Sequence, residues 1–157
     1  MLGILNETRI NEVLENSIVG RLGYTDGGRI FIIPISYFFY NRKYIIAHSR
    51  EGQKINILRN NPVVCLEVDF IHNLSNWESV ILWGKYEEIT SQPDRHYALD
   101  LLIRKINQQK IKEMQVVCSE QSEIDESLVL PDREKSIVYR IKIENKSGRF
   151  ERSGNSL

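Results

Sequence analysis

Apolar and polar residues alternate with a period of two along most of this chain, as in β-strands that bury one face. The alternating segments are 18–25, 29–40, 43–48, 63–69, 77–89 and 136–143. Asp26-Gly27-Gly28 is a strong hairpin signal between the first two, and Asn41-Arg42-Lys43 marks a second turn. Six strands in sequential antiparallel order favour a mainly β fold, a closed or split barrel with helical insertions, over a doubly wound sheet.

Helical spacing of apolar residues interrupts this pattern in three places. Asn6 is suited to cap a helix over 7–15, in which Ile10, Val13 and Leu14 form an apolar stripe. A second helix is predicted over 53–60, and a third from Pro93 to about 106, with Tyr97, Leu101 and Leu102 on its apolar face. A further helical piece is predicted over 107–116. Residues 70–76 and 119–134 are predicted to be loops, and the tail is expected to fray beyond about 152. A single domain over 1–157 is expected.

The strand from Arg29 to Tyr40 is apolar and aromatic, with Pro34 near its centre. Proline cannot donate to a ladder, so it marks an edge, a bulge or a point where the strand leaves its neighbour. One interpretation is an edge-strand proline that blocks aggregation. The other is an opening in which the free backbone groups of 33–36 meet a flat heteroaromatic ring with a polar edge.

The segment His48-Ser49-Arg50-Glu51-Gly52-Gln53-Lys54 leads from a strand into the start of a helix. Ser49 is a good N-cap residue, and a helix N-terminus offers free N–H groups and a partial positive charge. Helical side chains lean toward the N-terminus, so Lys54 can reach over the turn that His48 and Ser49 face. These features predict a phosphate pocket, and the alternative is an ordinary capped helix with solvated charges.

Composition argues against a nucleic-acid-binding protein and against a membrane-spanning one. The chain has 157 residues with 21 basic and 21 acidic side chains, a balance that argues against a nucleic-acid surface. No apolar run approaches the roughly 20 residues of a membrane span, and the N-terminus lacks the features of a secretion signal, so a cytoplasmic protein without membrane contact is expected. Cys65 is expected to be a small core residue of its strand, and the pattern makes no prediction for the environment of Cys118.

Evidence for other chemistry is weak. The three histidines, His48, His72 and His96, lack metal-ligand spacing, so no metal site is predicted. The carboxylates of 67–69 and 87–88 are interpreted as solvated strand faces rather than a catalytic pair. Trp77 and Trp83 are predicted to share a strand face. One interpretation places both in the core, and the other has Trp77, which is next to the predicted loop, contact a bound ring.

Five short motifs, taken in their order along the chain, resemble those of the flavin-binding split barrels related to pyridoxamine 5′-phosphate oxidase. The resemblance is closest to the branch that includes the nitroimidazole-resistance proteins. The resemblance covers about residues 5–150. It rests on Val19-Gly20-Arg21-Leu22-Gly23, Ile33-Pro34-Ile35-Ser36-Tyr37, His48-Ser49 with Lys54 and Asn61-Pro62, Trp77-Glu78-Ser79-Val80 with Gly84, and Ser147-Gly148-Arg149.

The resemblance implies a six-stranded antiparallel split β-barrel that binds flavin mononucleotide (FMN). It implies that His48, Ser49 and Lys54 hold the FMN phosphate, that the ring lies along Pro34, Ile35, Ser36 and Tyr37, and that the stretch from Trp77 to Ser79 helps close the site. It also implies a homodimer with FMN at the subunit interface. The pattern of 29–40 agrees with a dimer, because large apolar residues point to both faces of that strand.

One departure from the family bears on the substrate. The vitamin oxidases close their site with a C-terminal segment rich in arginine, tryptophan and histidine, and residues 147–154 here contain no tryptophan or histidine. Oxidation of vitamin B6 is therefore not expected. The sequence predicts an FMN-dependent oxidoreductase of a small molecule, in which the flavin does the electron chemistry and no catalytic side chain is nominated. The alternatives are a flavin or haem carrier or redox sensor, and an interaction module without cofactor.

Overall fold

The computed structural model of the chain describes residues 1–117 and 132–154. Cys118 and most of the loop predicted at 119–134 lie outside these residues. The described elements are β1 (Leu2–Ile4), α1 (Glu7–Asn16), β2 (Val19–Thr25), β3 (Ile30–Ser36), β4 (Phe38–Tyr40), β5 (Tyr44–Ser49), α2 (Gln53–Asn60), β6 (Val63–Asn73), β7 (Asn76–Glu88), α3 (Gln92–Val117) and β8 (Ile137–Glu151). No helix among them combines the length and apolar character that a membrane crossing requires.

All the strands belong to one antiparallel sheet with the order β3-β2-β6-β7-β8-β5-β4, and β1 pairs with the far end of β8. β3 and β4 lie at opposite ends of this order although only Tyr37 separates them in the chain. The Tyr37 ring is fully buried, and its hydroxyl donates to the Leu14 carbonyl at 2.8 Å. This residue therefore joins the two ends of the sheet and closes it into a split barrel.

The predicted strand over 29–40 is thus two strands, and it leaves its neighbour at Tyr37 rather than at Pro34. Pro34 lies inside β3, opposite Arg21 of β2. Among the described strands β3 pairs only with β2. One side of an edge strand has no ladder bonds, so a residue without an N–H is tolerated there.

Within residues 1–117 and 132–154 the sheet has eight strands rather than the predicted six. The predicted loop over 70–76 is wrong, because β6 and β7 continue as a ribbon whose turn is Leu74-Ser75. β8 runs on to Glu151, well past the predicted end at residue 143, because its second half pairs with β7 and β1. The two helical pieces predicted beyond Pro93 are one helix, α3.

The barrel interior holds the main core, to which α1 contributes the predicted stripe of Ile10, Val13 and Leu14. Asn6 caps this helix as predicted, since its side chain accepts a hydrogen bond from the Arg9 N–H at 2.8 Å. α3 packs on the outer face of β5 and β8 in a second cluster formed by Ile46, Ala98, Leu99, Ile103 and Val138. Leu102 of the predicted apolar face is buried, but Tyr97 is 57% exposed.

Trp77 and Trp83 share a face of β7 as predicted, but that face is the outer one and neither residue belongs to the core. Trp83 is 40% exposed, while the inward positions between them hold Val80 and Leu82. Cys65, which pairs with Trp83 across the sheet, is half-buried on the same outer face rather than a core residue. The alternation is local, but which face is covered depends on the rest of the fold.

Candidate functional site

A cavity of about 950 Å³ lies in the described part of the chain. It lies at the end of β5, where α3 extends beyond the sheet edge and the chain enters β8. Its lining residues are Ser36 of β3, His48 of β5, Arg50 and Glu51 of the following loop, Ile103, Ile106, Asn107 and Lys110 of α3, and Asp132, Lys135, Ser136 and Ile137 at the start of β8. The volume suits a cofactor-sized ligand.

His48 and Lys54 are neighbours at this end of the sheet. Burial lowers the pKa of His48, and the positive charge of Lys54 lowers it further, so the imidazole is neutral at neutral pH. Burial also lowers the pKa of the Lys54 ammonium. No described carboxylate lies within ion-pair distance of Lys54. An anion bound here would therefore satisfy a half-buried cation that the described residues leave unpaired.

Ser49 does not cap α2. It is the last residue of β5, its hydroxyl donates to the Arg50 carbonyl at 3.1 Å, and Gly52 takes the N-cap position without a side-chain hydrogen bond. The reason is that the chain needs three residues, 50–52, to turn from the strand into the helix. The first-turn N–H groups of α2 consequently lack a side-chain acceptor.

Glu51 would repel an anion in this cavity, but Arg59 binds it and offsets part of its charge. The Arg59 guanidinium donates to both Glu51 carboxylate oxygens, at 2.6 and 3.0 Å, and also binds Glu88 at 2.8 Å. This bridge ties the loop before α2 to the end of β7. Arg50 and Lys110 remain without a carboxylate partner among the residues described, so the described part of the cavity wall carries a net positive charge.

The four residues predicted to lie along a flavin ring occupy two faces of the strand. Ser36 lines the cavity, and Pro34 is exposed on the same outer face. Ile35 points into the barrel and is 7% exposed, as is expected from the alternation. The Tyr37 ring is buried and hydrogen-bonded, so it is not available for stacking. Ile35 and Tyr37 can meet a ligand here only through their backbone.

Trp77 and Ser79 lie on the outer face of β7 and do not line the cavity. The Trp77 indole donates to Glu151 at 3.0 Å, and the Ser79 hydroxyl donates to Glu67 at 2.8 Å. Two strands, β2 and β6, separate β7 from β3, which amounts to about 14 Å across the sheet. One chain therefore brings Ser36 and His48 together in the cavity lining, with Lys54 close enough to His48 to affect its charge. Ser49 and Lys54 are not part of that lining, and Trp77 and Ser79 lie apart from it.

No sequence motif indicated that α3 and the start of β8 belong to the cavity. Lys110 is an ordinary charged residue of the predicted second helical piece, and Lys135 lies between the predicted loop and the last predicted strand. Arg50, by contrast, sits inside the segment that predicted the phosphate pocket, so its presence at the site follows from that motif. No three His, Cys, Asp or Glu side chains in the described residues cluster closely enough for a metal ion.

Comparison with known protein families matches residues 6–150 to the family described as pyridoxamine 5′-phosphate oxidase. Among curated proteins, an uncharacterized protein of Rhizobium meliloti (strain 1021) is 29% identical over 109 residues, which is 66% of this chain and 71% of that protein.

Two solved structures illustrate the structural similarity. An FAD-binding protein from Mesorhizobium loti superposes with a TM-score of 0.71 at 25% identity, covering 96% of this chain and 98% of the other. A putative 5-nitroimidazole antibiotic resistance protein from Bacteroides thetaiotaomicron has a TM-score of 0.68 at 20% identity, covering 96% of this chain and 87% of the other. The split-barrel fold and the resemblance to this group of proteins are thereby confirmed.

Proposed function

Because the chain belongs to the pyridoxamine 5′-phosphate oxidase family, we propose that it is a flavoprotein that binds FMN in the cavity beside His48 and uses it to oxidise or reduce a small molecule. The single observation that carries the proposal is the half-buried Lys54, which lies next to His48 and the uncapped start of α2 and has no carboxylate partner among the described residues. These groups provide charge and N–H donors for one phosphate.

The cavity residues fit the rest of the cofactor as well. Ser36 and the exposed side of β3 offer polar backbone at an edge strand, where a flat ring can accept and donate hydrogen bonds. Ile103 and Ile106 of α3 supply apolar surface on the opposite wall. When bound, the flavin supplies the electron transfer, and the protein's part is to position it and exclude water.

Purified protein is expected to be yellow and to release FMN on denaturation, which chromatography of the released flavin identifies. One phosphate matches the single cluster around Lys54, whereas FAD carries two, and a structural neighbour is named as FAD-binding. Release of FAD instead of FMN would still support a flavoprotein, but with FAD as its cofactor. A colourless protein that also fails to bind added FMN would contradict the proposal.

The outer face of β2, β3, β6 and β7 supports the further proposal that the chain is a homodimer. Ile32, Gly23, Cys65 and Trp83 form one row across these four strands. Ile32 is 71% exposed, and its neighbours Ile30 and Val63 in the adjacent row are more than half exposed. A soluble monomer rarely leaves such a patch open. A second copy on this face would also bring another Trp77 toward the outer side of β3.

Light scattering of the flavin-loaded protein is expected to give twice the chain mass of 18.4 kDa. Ile32→Asp places a charge in the centre of the apolar row, so it should shift the mass to that of one chain and weaken flavin binding. Tyr97→Asp is the matched control, because Tyr97 is exposed on α3, away from this face. A wild-type mass of one chain at micromolar concentration with flavin bound would rule the dimer out.

The substrate we propose is flat and weakly polar rather than a vitamin phosphate. A second phosphate beside the flavin would need its own cations, and one C-terminal arginine, Arg152, is already bound to the buried carboxylate of Glu78 at 3.1 Å. Glu78 is held by Arg9 as well, at 2.6 Å. These contacts tie the end of β8 to α1 and leave Arg152 with a structural partner.

The flavin-loaded protein is expected to oxidise pyridoxamine 5′-phosphate poorly and to reduce quinones or nitroaromatic compounds with a nicotinamide donor. Both assays are run on the same preparation, so that a lack of flavin cannot explain either result. Efficient turnover of the vitamin would overturn the substrate proposal. Binding of flavin without turnover of any acceptor would favour the carrier or sensor alternative.

A further inference from the structure

A second cavity of about 550 Å³ lies between the end of α1, β4 and α3. Phe38, Phe39 and Leu101 form its apolar walls, and Arg104, Lys105 and Lys112 supply cations. We name these six residues the Lys105 groove. The α3 residues of the groove and those of the flavin cavity, such as Ile103 and Lys110, lie on different faces of the helix, and the two cavities share no lining residue.

Positive charge dominates the groove. Among the described residues, no carboxylate lies within ion-pair distance of Arg104, Lys105 or Lys112, and the one acidic side chain in the lining is Glu15. Arg104 and Lys112 reach water, so their charges are solvated. Lys105 is different because most of its side chain is buried beneath the groove.

Lys105 is held by one hydrogen bond and two aromatic faces. Its ammonium donates to the carbonyl of Ser17, the C-cap of α1, and lies 4.7 Å from the Tyr37 ring centroid and 5.8 Å from that of Phe38. These contacts stabilise a cation. They leave two of its three N–H donors without an acceptor in the described residues, and burial lowers the pKa of Lys105 to about 8.

A largely buried cation without a carboxylate in ion-pair contact is destabilising unless something compensates it, and the nearby charge of Glu15 does so only in part. The contact with Ser17 does so in part, but a methionine or leucine would fill the same space without the desolvation cost. An anion entering the groove would meet the two free N–H donors of Lys105 and the nearby charges of Arg104 and Lys112. Its apolar body would cover Phe38, Phe39 and Leu101.

We propose that the Lys105 groove is a binding site, separate from the flavin cavity, for an organic monocarboxylate with an apolar body. The single buried amine matches one carboxylate head, and the three apolar walls match a short alkyl chain or an aromatic ring. Glu15 at the edge of the groove disfavours ligands that carry a second negative group close to the first.

Calorimetric titration with octanoate tests the proposal, in the full-length protein with and without saturating flavin. Octanoate should bind wild type about tenfold more tightly than Lys105→Met, because one charge-assisted hydrogen bond is lost. Octanol, which has the same body without the charge, should bind both proteins equally. Lys142→Met is the matched control, since Lys142 is an exposed residue of β8 away from the groove.

A labelling experiment keeps the test valid if Lys105→Met does not fold. In wild type, octanoate should slow the modification of Lys105 by an amine reagent at pH 8, as read by peptide mass spectrometry, and leave Lys142 unaffected. Equal octanoate affinity of wild type and Lys105→Met, or unchanged labelling of Lys105, would overturn the proposal. Competition between octanoate and flavin would also overturn it, by placing octanoate in the first cavity.

Discussion

Replacing Lys54 with alanine is expected to weaken FMN binding roughly ten- to a hundredfold. The substitution removes a charge-assisted contact to the phosphate worth about 1.5 to 3 kcal/mol. Riboflavin has no phosphate, so its affinity should not change. Fluorescence titration of wild type and Lys54→Ala with both flavins measures the two effects side by side.

The pH dependence of the same titration adds an independent check. Because burial lowers the pKa of Lys54, the wild-type ammonium loses its proton at a lower pH than an exposed lysine. The advantage of wild type over Lys54→Ala should therefore shrink as the pH becomes alkaline. Lys43→Ala, at an exposed lysine in the turn before β5, serves as control. Equal FMN affinity of wild type and Lys54→Ala at neutral pH would refute the phosphate assignment.

Gly84→Ala should lower the free energy of unfolding by about 3 kcal/mol. Gly84 lies in β7 where the register with β8 shifts, and an added methyl group would press into the backbone carbonyl of Lys142 and lie 2.9 Å from the Ile141 side chain. A backbone group in a paired strand cannot move aside without breaking ladder bonds. Urea unfolding of the two proteins under the same conditions measures the difference.

Gly28→Ala provides the comparison for this substitution. At that position the added methyl group would lie 3.6 Å from an Asp26 oxygen, an ordinary contact in an exposed turn. Its effect should stay within about 0.5 kcal/mol. If Gly84→Ala were as stable as Gly28→Ala, the close approach of β7 to β8 at this point would be disproved.

Local patterns predicted the elements whose causes are local. The stripe and cap of α1 depend on residues 6–14, and α2 begins and ends at the predicted residues 53 and 60. The strand before α2 was also predicted within one residue at each end. The cap of α2 was predicted wrongly. Ser49 continues the strand ladder opposite Ile137 of β8, a partner far away in the sequence.

Long-range pairing decided the features that the pattern missed. Residues 70–73 become a strand because they pair with β7, and residues 144–151 do so because β7, and at their C-terminal end β1, run beside them. The break at Tyr37 depends on a hydrogen bond to Leu14 in α1. None of these causes is visible in a window of neighbouring residues.

The candidate site also combines features with local causes and features that depend on long-range packing. Local sequence was enough to predict that Lys54 lies near His48, because a strand, a turn and a helix start connect them within seven residues. The packing of distant segments explains why α3 and the start of β8 form the opposite wall, and why two strands separate Trp77 from Ser36. Side chains close in sequence have few ways to arrange themselves, whereas the meeting of distant segments depends on how the whole sheet closes.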